Sequence, residues 1–109
     1  MNNYSVIYLK QANDKEPIYD WLETLDNSAK IRILNRILRL EEGIFGDCKK
    51  ISADISELRF SFGSGYRIYY HQYKNTIVLL INGGDKSTQS KDIIKAQKLL
   101  DEWRTTNAK

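Results

Sequence analysis

Apolar positions along the chain follow first a helical period, then a period of two. Tyr4 to Leu9 is rich in β-branched and aromatic residues and predicts a first strand. Asp14 to Pro17 reads as a helix start, since proline fits a first helical turn, and Ile18, Trp21, Leu22 and Leu25 then recur at helical spacing. Asp26, Asn27 and Ser28 supply caps for a second helix, which Gly43 ends. At ~100° per residue, Ile31, Ile33, Leu34, Ile37, Leu38 and Leu40 cover about half of that helix, with Arg32, Arg36 and Arg39 as a stripe opposite. The short polar turn between the two predicts an antiparallel helical hairpin.

Beyond residues 43–54, which read as a loop, the pattern alternates. In Ile55–Phe62, Ser56, Leu58, Phe60 and Phe62 face one way, and Glu57, Arg59 and Ser61 the other. In Tyr66–Gln72, Tyr66, Ile68 and Tyr70 oppose Arg67, Tyr69 and His71. Gly63-Ser64-Gly65 and Lys74-Asn75 are turns. Thr76–Ile81 is continuously apolar, as a central strand buried on both faces would be. After Gly83-Gly84 a last helix starts near Ser87–Ser90 and runs to about Arg104. Ile93, Ala96, Leu100 and Trp103 form its apolar face, and Thr105–Lys109 is expected to fray. The order β-α-α-β-β-β-α predicts one α+β domain over residues 1–109, an antiparallel-rich sheet packed by helices on one face.

Composition narrows the function classes. The chain has 109 residues and 41% apolar content, enough for a core without staples. Its single cysteine excludes a disulfide framework, and a cytoplasmic location is expected. The longest apolar run, Ile77–Ile81, is far shorter than the ~20 residues a membrane span needs. One histidine and one cysteine make no metal cluster, so neither metal nor cofactor is expected. Cys48 is read as a buried structural thiol rather than half of a Cys–His nucleophile pair.

Net charge is only +3, but it is segregated. Asp14, Glu16, Asp20, Glu23 and Asp26 precede Lys30, Arg32, Arg36 and Arg39. Two solvated helix faces account for this as well as a polyanion-binding surface does. Gly63-Ser64-Gly65 lacks the context of a phosphate loop and is most economically a hairpin turn. Gly83-Gly84-Asp85-Lys86-Ser87-Thr88 does join a strand to a helix, where a plain cap and an anion-binding terminus are the two readings. If Leu58, Phe60, Tyr66, Ile68 and Tyr70 pack under helices, Arg59, Arg67, Tyr69 and His71 share an open sheet face. Cations beside aromatics suit RNA, by phosphate neutralisation and base stacking, although any solvated sheet face carries such residues.

Several stretches together resemble a known family. Glu57-Leu58-Arg59, Gly65-Tyr66-Arg67-Ile68-Tyr69-Tyr70, Gly83-Gly84-Asp85-Lys86-Ser87-Thr88-Gln89, Lys91-Asp92-Ile93 and Ala96 are similar to the RelE/ParE toxin superfamily. The likeness is to its HigB-like branch of addiction module killer, phage Gp49-like proteins. Trp21-Leu22, the basic second helix and Gly46-Asp47-Cys48-Lys49 add to it, so the resemblance spans nearly the whole chain in order.

The resemblance implies a bacterial or phage-derived toxin of a type II toxin–antitoxin pair. It implies a metal-independent endoribonuclease that cuts mRNA in the ribosomal A site and arrests translation. The ribose 2′-hydroxyl would attack the adjacent phosphate and the 5′-oxygen would leave, typically giving a 2′,3′-cyclic phosphate. It also implies a cognate helix-turn-helix antitoxin as partner, beside the ribosome and mRNA. Carried over by residue, Arg67 falls at the scissile phosphate, with Lys86 and Arg59 as further cations. Tyr69 and His71 are the candidates for stacking or proton transfer, with Asp92 a weaker one, because no tyrosine follows Tyr73. Arg32, Arg36, Arg39, Lys49, Lys50 and Lys91 are expected to contact RNA or the ribosome. The alternative within the superfamily is a ParE-like toxin that inhibits DNA gyrase by binding, without cutting RNA; fold alone does not separate the two.

Overall fold

A computed structural model describes residues 4–107. The elements are β1 (Ser5–Tyr8), α1 (Pro17–Glu23), α2 (Asn27–Leu40), β2 (Cys48–Lys50), β3 (Ser56–Arg59), β4 (Arg67–Tyr73), β5 (Ile77–Gly84) and α3 (Gln89–Asn107), with a 3-10 turn at Lys86–Thr88. The five strands form one sheet in the order β1-β5-β4-β3-β2. β1 runs parallel to β5, and every other pair is antiparallel.

Helix limits follow local chemistry. Pro17 opens α1. Asp26 caps α2 by accepting from the Ala29 amide at 3.3 Å. Glu23 at the end of α1 pairs with Lys30 in α2, so the segregated charges meet across the turn. Asp85 caps the last helical segment, accepting from the Ser87 amide at 2.9 Å in a capping box with Thr88.

Helices cover both faces of the sheet, not one as expected. Val78 and Leu80 pack with Ile18 and Leu22 of α1 and with Ile33, Ile37 and Leu40 of α2. Leu79 and Ile81 point the other way and pack with Ala96, Leu99 and Leu100 of α3. The cause lies in β5, whose apolar side chains emerge on both sides and must both leave water. The sheet face read as open is therefore roofed by α3 along much of its length.

Further expectations are corrected. Residues 43–54 contain β2, which pairs with β3 through Cys48↔Leu58 and Lys50↔Ser56, and its Cys48 is exposed rather than buried. Three exposed residues, two of them lysines, leave no apolar pattern to read. On α2 the buried face is Ala29, Ile33, Ile37 and Leu40, while Ile31 and Leu38 are exposed. The arginine stripe borders that buried face instead of opposing it. Finally, α3 continues to Asn107, so Thr105–Asn107 are helical, while residues 108–109 of the expected frayed tail lie outside the described residues.

A β-bulge sets the end of β5. Tyr69 pairs with Asn82 and Tyr70 with Leu80, leaving Ile81 as the extra residue. Gly83 and Gly84 then lie where both helical layers press on the backbone. A Cβ on Gly83 would sit 2.3 Å from the Trp21 ring, and one on Gly84 1.8 Å from Asp92 Oδ2. Only glycine admits that approach. No helix among the described residues is long and apolar enough to cross a membrane.

Candidate active site

The ends of β3 and β4 bring two guanidiniums together. Arg59 and Arg67 are register partners, directly opposite each other on neighbouring strands. Like charges so placed repel, unless something of opposite sign intervenes. Glu57, two residues before Arg59 and on the same face, is that group. Its side chain is 2% exposed, with Oε1 3.8 Å from Arg67 Nε and Oε2 4.0 Å from Arg59 Nη1. Gln89, at the start of α3, donates to Glu57 Oε1 at 2.9 Å. On the outer side, Arg59 Nε and Nη2 both donate to Asp47 Oδ1, at 3.2 and 3.0 Å. Charge thus alternates along the row Asp47, Arg59, Glu57, Arg67.

Arg67 is fixed from two sides. Its Nη1 donates to the carbonyls of Gly65 and Tyr66 at 3.3 and 3.2 Å, while Nε faces Glu57 without a hydrogen bond among the described residues. Those carbonyls belong to the hairpin turn, where Gly63 and Gly65 adopt positive φ. Ser64 in this turn donates to Asp85 at 3.1 Å, and its carbonyl accepts from the Lys86 amide. Hydrogen bonds from Ser87, and then from Ser64 and Thr88, hold the Asp85 carboxyl below its ordinary range. This lock ties the loop carrying Lys86 to the turn beside Arg67.

Together these groups line a cleft of about 620 Å³, bounded by Asp47, Arg59, Ser61, Ser64, Arg67 and Lys86. An adjoining recess of about 400 Å³ shares Asp47, Arg59 and Phe60 with it and extends to Arg32, Asn35 and Arg39. Arg32 lies over the Phe62 ring, 3.8 Å from its centroid. The surface can hold an anion between three cations and follow a polyanion toward α2.

The expected residues divide accordingly. Arg59, Arg67 and Lys86 are brought together, and Arg32 and Arg39 line the adjoining recess. Arg36 lines that recess too, but its guanidinium is engaged: it donates to the carbonyls of Arg59, Phe45 and Asp47 and lies over Phe60. Burial lowers its pKa. Lys49 and Lys50 are exposed on the edge strand and Lys91 on the first turn of α3; none of the three lines either recess.

Neither Tyr69 nor His71 shares the cleft. Tyr69 is fully buried under α3, its hydroxyl has no hydrogen-bond partner among the described residues, and burial raises its pKa. No base can stack on it. His71 stands four residues along β4 from Arg67, about 13 Å away at ~3.3 Å per residue. It is part of another cluster, with Nδ1 2.7 Å from the Asp54 carbonyl oxygen and its ring stacked on Tyr73. Asp92 is half-buried and accepts from Thr88, which ties it to the start of α3. Glu57, Asp47 and Gln89 are the residues that sequence reasoning did not assign. The signal for Glu57 was its parity with Arg59; Asp47 and Gln89 stand in stretches that resemble the family, but they arrive from distant segments and no local pattern gave them a role.

Among the described residues no group of three or more His, Cys, Asp and Glu side chains could hold a metal ion. Residues 20–101 match the family described as Phage derived protein Gp49-like (DUF891). An uncharacterized protein of Haemophilus influenzae is 48% identical over 83 residues, which cover 75% of this chain and 84% of that protein. The fold is similar to a free-state structure of a mutant of the E. coli toxin RelE. That likeness has TM-score 0.60 and 14% identity, and covers 88% of this chain and 94% of the other.

Proposed function

Since the chain belongs to the phage-derived Gp49-like family and has the fold of the toxin RelE, we propose that it is the toxin of a type II toxin–antitoxin pair. Its activity on this reading is ribosome-dependent cleavage of mRNA. The observation that carries it is one cleft lined by Arg59, Arg67 and Lys86, with two arginines braced by carboxylates rather than left free to move. The phosphodiester sits between the three cations. The 2′-oxygen attacks phosphorus, the bond to the 5′-oxygen breaks, and a 2′,3′-cyclic phosphate forms with a free 5′-hydroxyl. The guanidiniums meet the negative charge that grows on the phosphoryl oxygens, held in place before the reaction starts. Asp47 is the carboxylate lining the cleft and takes the 2′-hydroxyl proton; Lys86 returns one to the leaving oxygen. Arg32 and Arg39 continue the positive surface along the RNA backbone, and an acidic antitoxin segment would be complementary to it.

The test is purified protein added to ribosomes programmed with a defined mRNA, read by primer extension. Cuts that require the ribosome, and that Arg67→Ala abolishes in a folded variant, are expected. Growth arrest without any cut would transfer the reading to a binding toxin acting on gyrase or another protein.

A further inference from the structure

We propose that Glu57 is a positioning residue, whose buried carboxylate holds Arg59 and Arg67 as a fixed pair aimed at one phosphodiester. Glu57 is one of only two buried polar or charged residues in the described core, the other being Asn82. A carboxylate is costly to bury and is kept where partners compensate it. Here its partners are two guanidiniums and one amide, each from a different element: Arg59 from β3, Arg67 from β4, Gln89 from α3. The two arginine contacts, at 4.0 and 3.8 Å, are close enough to orient and too long to be hydrogen bonds. Arg67 Nη2 is therefore left for an incoming anion, and Lys86, whose Nζ makes no hydrogen bond among the described residues, lines the same cleft. Without the carboxylate, the repulsion between the register-paired cations would go uncompensated, Arg59 would be held only from the Asp47 side and Arg67 only by the turn carbonyls, and the anion would have to complete their alignment on arrival.

The carboxylate itself does not reach the reacting atoms. Glu57 is absent from the cleft lining, which Arg59 and Arg67 form in front of it. It acts through them, and Gln89 in turn fixes which oxygen faces Arg67. This inference rests on the nuclease reading only for its kinetic readout.

Glu57→Gln keeps the shape of the side chain and its bond to Gln89 while removing the charge. In the wild-type protein the Nε–H signals of Arg59 and Arg67 in nitrogen-15 NMR should be resolved and slow to exchange. In Glu57→Gln both should shift and broaden. Cleavage on programmed ribosomes should show kcat lower by about 10²-fold with KM changed by less than about threefold. Glu57→Asp, which retains the charge one methylene further back, should restore part of both. A purely structural Glu57 would lower the melting temperature and leave the arginine signals and kcat in place, and that result would overturn the proposal. If Glu57→Gln does not fold, the comparison is made between wild type, Glu57→Asp and Gln89→Leu; unchanged arginine signals in both variants would equally overturn it. Shifted arginine signals in a protein whose wild type never cuts RNA would uphold the pairing and sink the nuclease reading instead.

Discussion

Two clusters on the same face of β4, four residues apart, use the same side-chain types to opposite ends. At the His71 end, Arg104 donates two hydrogen bonds to Asp54, at 3.2 and 2.9 Å, and Gln97 adds a third at 3.2 Å. His71 closes the set against the Asp54 carbonyl. The short carboxylate contacts are used up in pinning the last turns of α3 to the 52–54 loop. At the Arg67 end Arg59 likewise gives Nε and Nη2 to Asp47, but the Glu57 contacts are 3.8 and 4.0 Å, Arg67 uses only Nη1 in hydrogen bonds among the described residues, and the cations front a cleft. An arginine that has spent its donors holds a fold; one that is oriented but unspent is ready for a ligand. Arg67, more than Arg59, is what separates the candidate site from the other cluster.

Exchanging the loss between the two ends is the strongest way to break this comparison. Arg67→Ala should lower kcat for ribosome-dependent cleavage by about 10²–10³-fold, the scale for removing a donor from a developing anion. The same assay on Arg104→Ala should stay within about twofold of wild type, and His71→Ala likewise. A His71→Ala loss comparable to that of Arg67→Ala would return proton transfer to the histidine and undo the division. A smaller effect should follow at the border of the site. Arg36→Met removes donors from three carbonyls and should cost about 2 kcal/mol in urea unfolding, since charged hydrogen bonds are worth more than neutral ones. Through the Arg59 and Asp47 backbone, and as part of the recess lining, it should also weaken cleavage.

The lock at the other end should give the smallest signal. Arg104→Ala should cost under about 1 kcal/mol, because the Asp54–Arg104 pair is about one-third exposed and screened. The Asp54 carboxyl is held below its ordinary value, first by the Arg104 hydrogen bond. The folded state therefore favours the carboxylate. Its contribution is complete above the unfolded value of about 3.9 and fades as pH falls through the lower folded value. A wild-type minus Asp54→Asn difference in stability that showed no decline on acidification would show that the ion pair is not its source.

Much of this was legible in the chain. Period-two alternation placed Arg59 and Arg67 on one face, and turn residues fixed the hairpin between them. The same alternation misassigned Tyr69, since parity gives the face but not what covers it. The information lay elsewhere, in the unbroken apolar run of β5, which already required helices on both sides. Arg36 misled for a different reason: its carbonyl partners at Phe45, Asp47 and Arg59 are set by the chain's path, which no local pattern records. Asp47 and Gln89 reach the site across 12 and 32 residues of sequence, from Arg59 and Glu57 respectively.

The two borders of the sheet differ in a way that limits assembly. β2 at one border is three residues long and carries Lys49 and Lys50, the kind of charged, truncated rim that discourages strand addition. β1 at the other border is Ser-Val-Ile-Tyr, with no charge. Of the two rims, only β1 lacks the charge that turns an approaching strand away, so the sheet is guarded by its sequence at one border and not at the other.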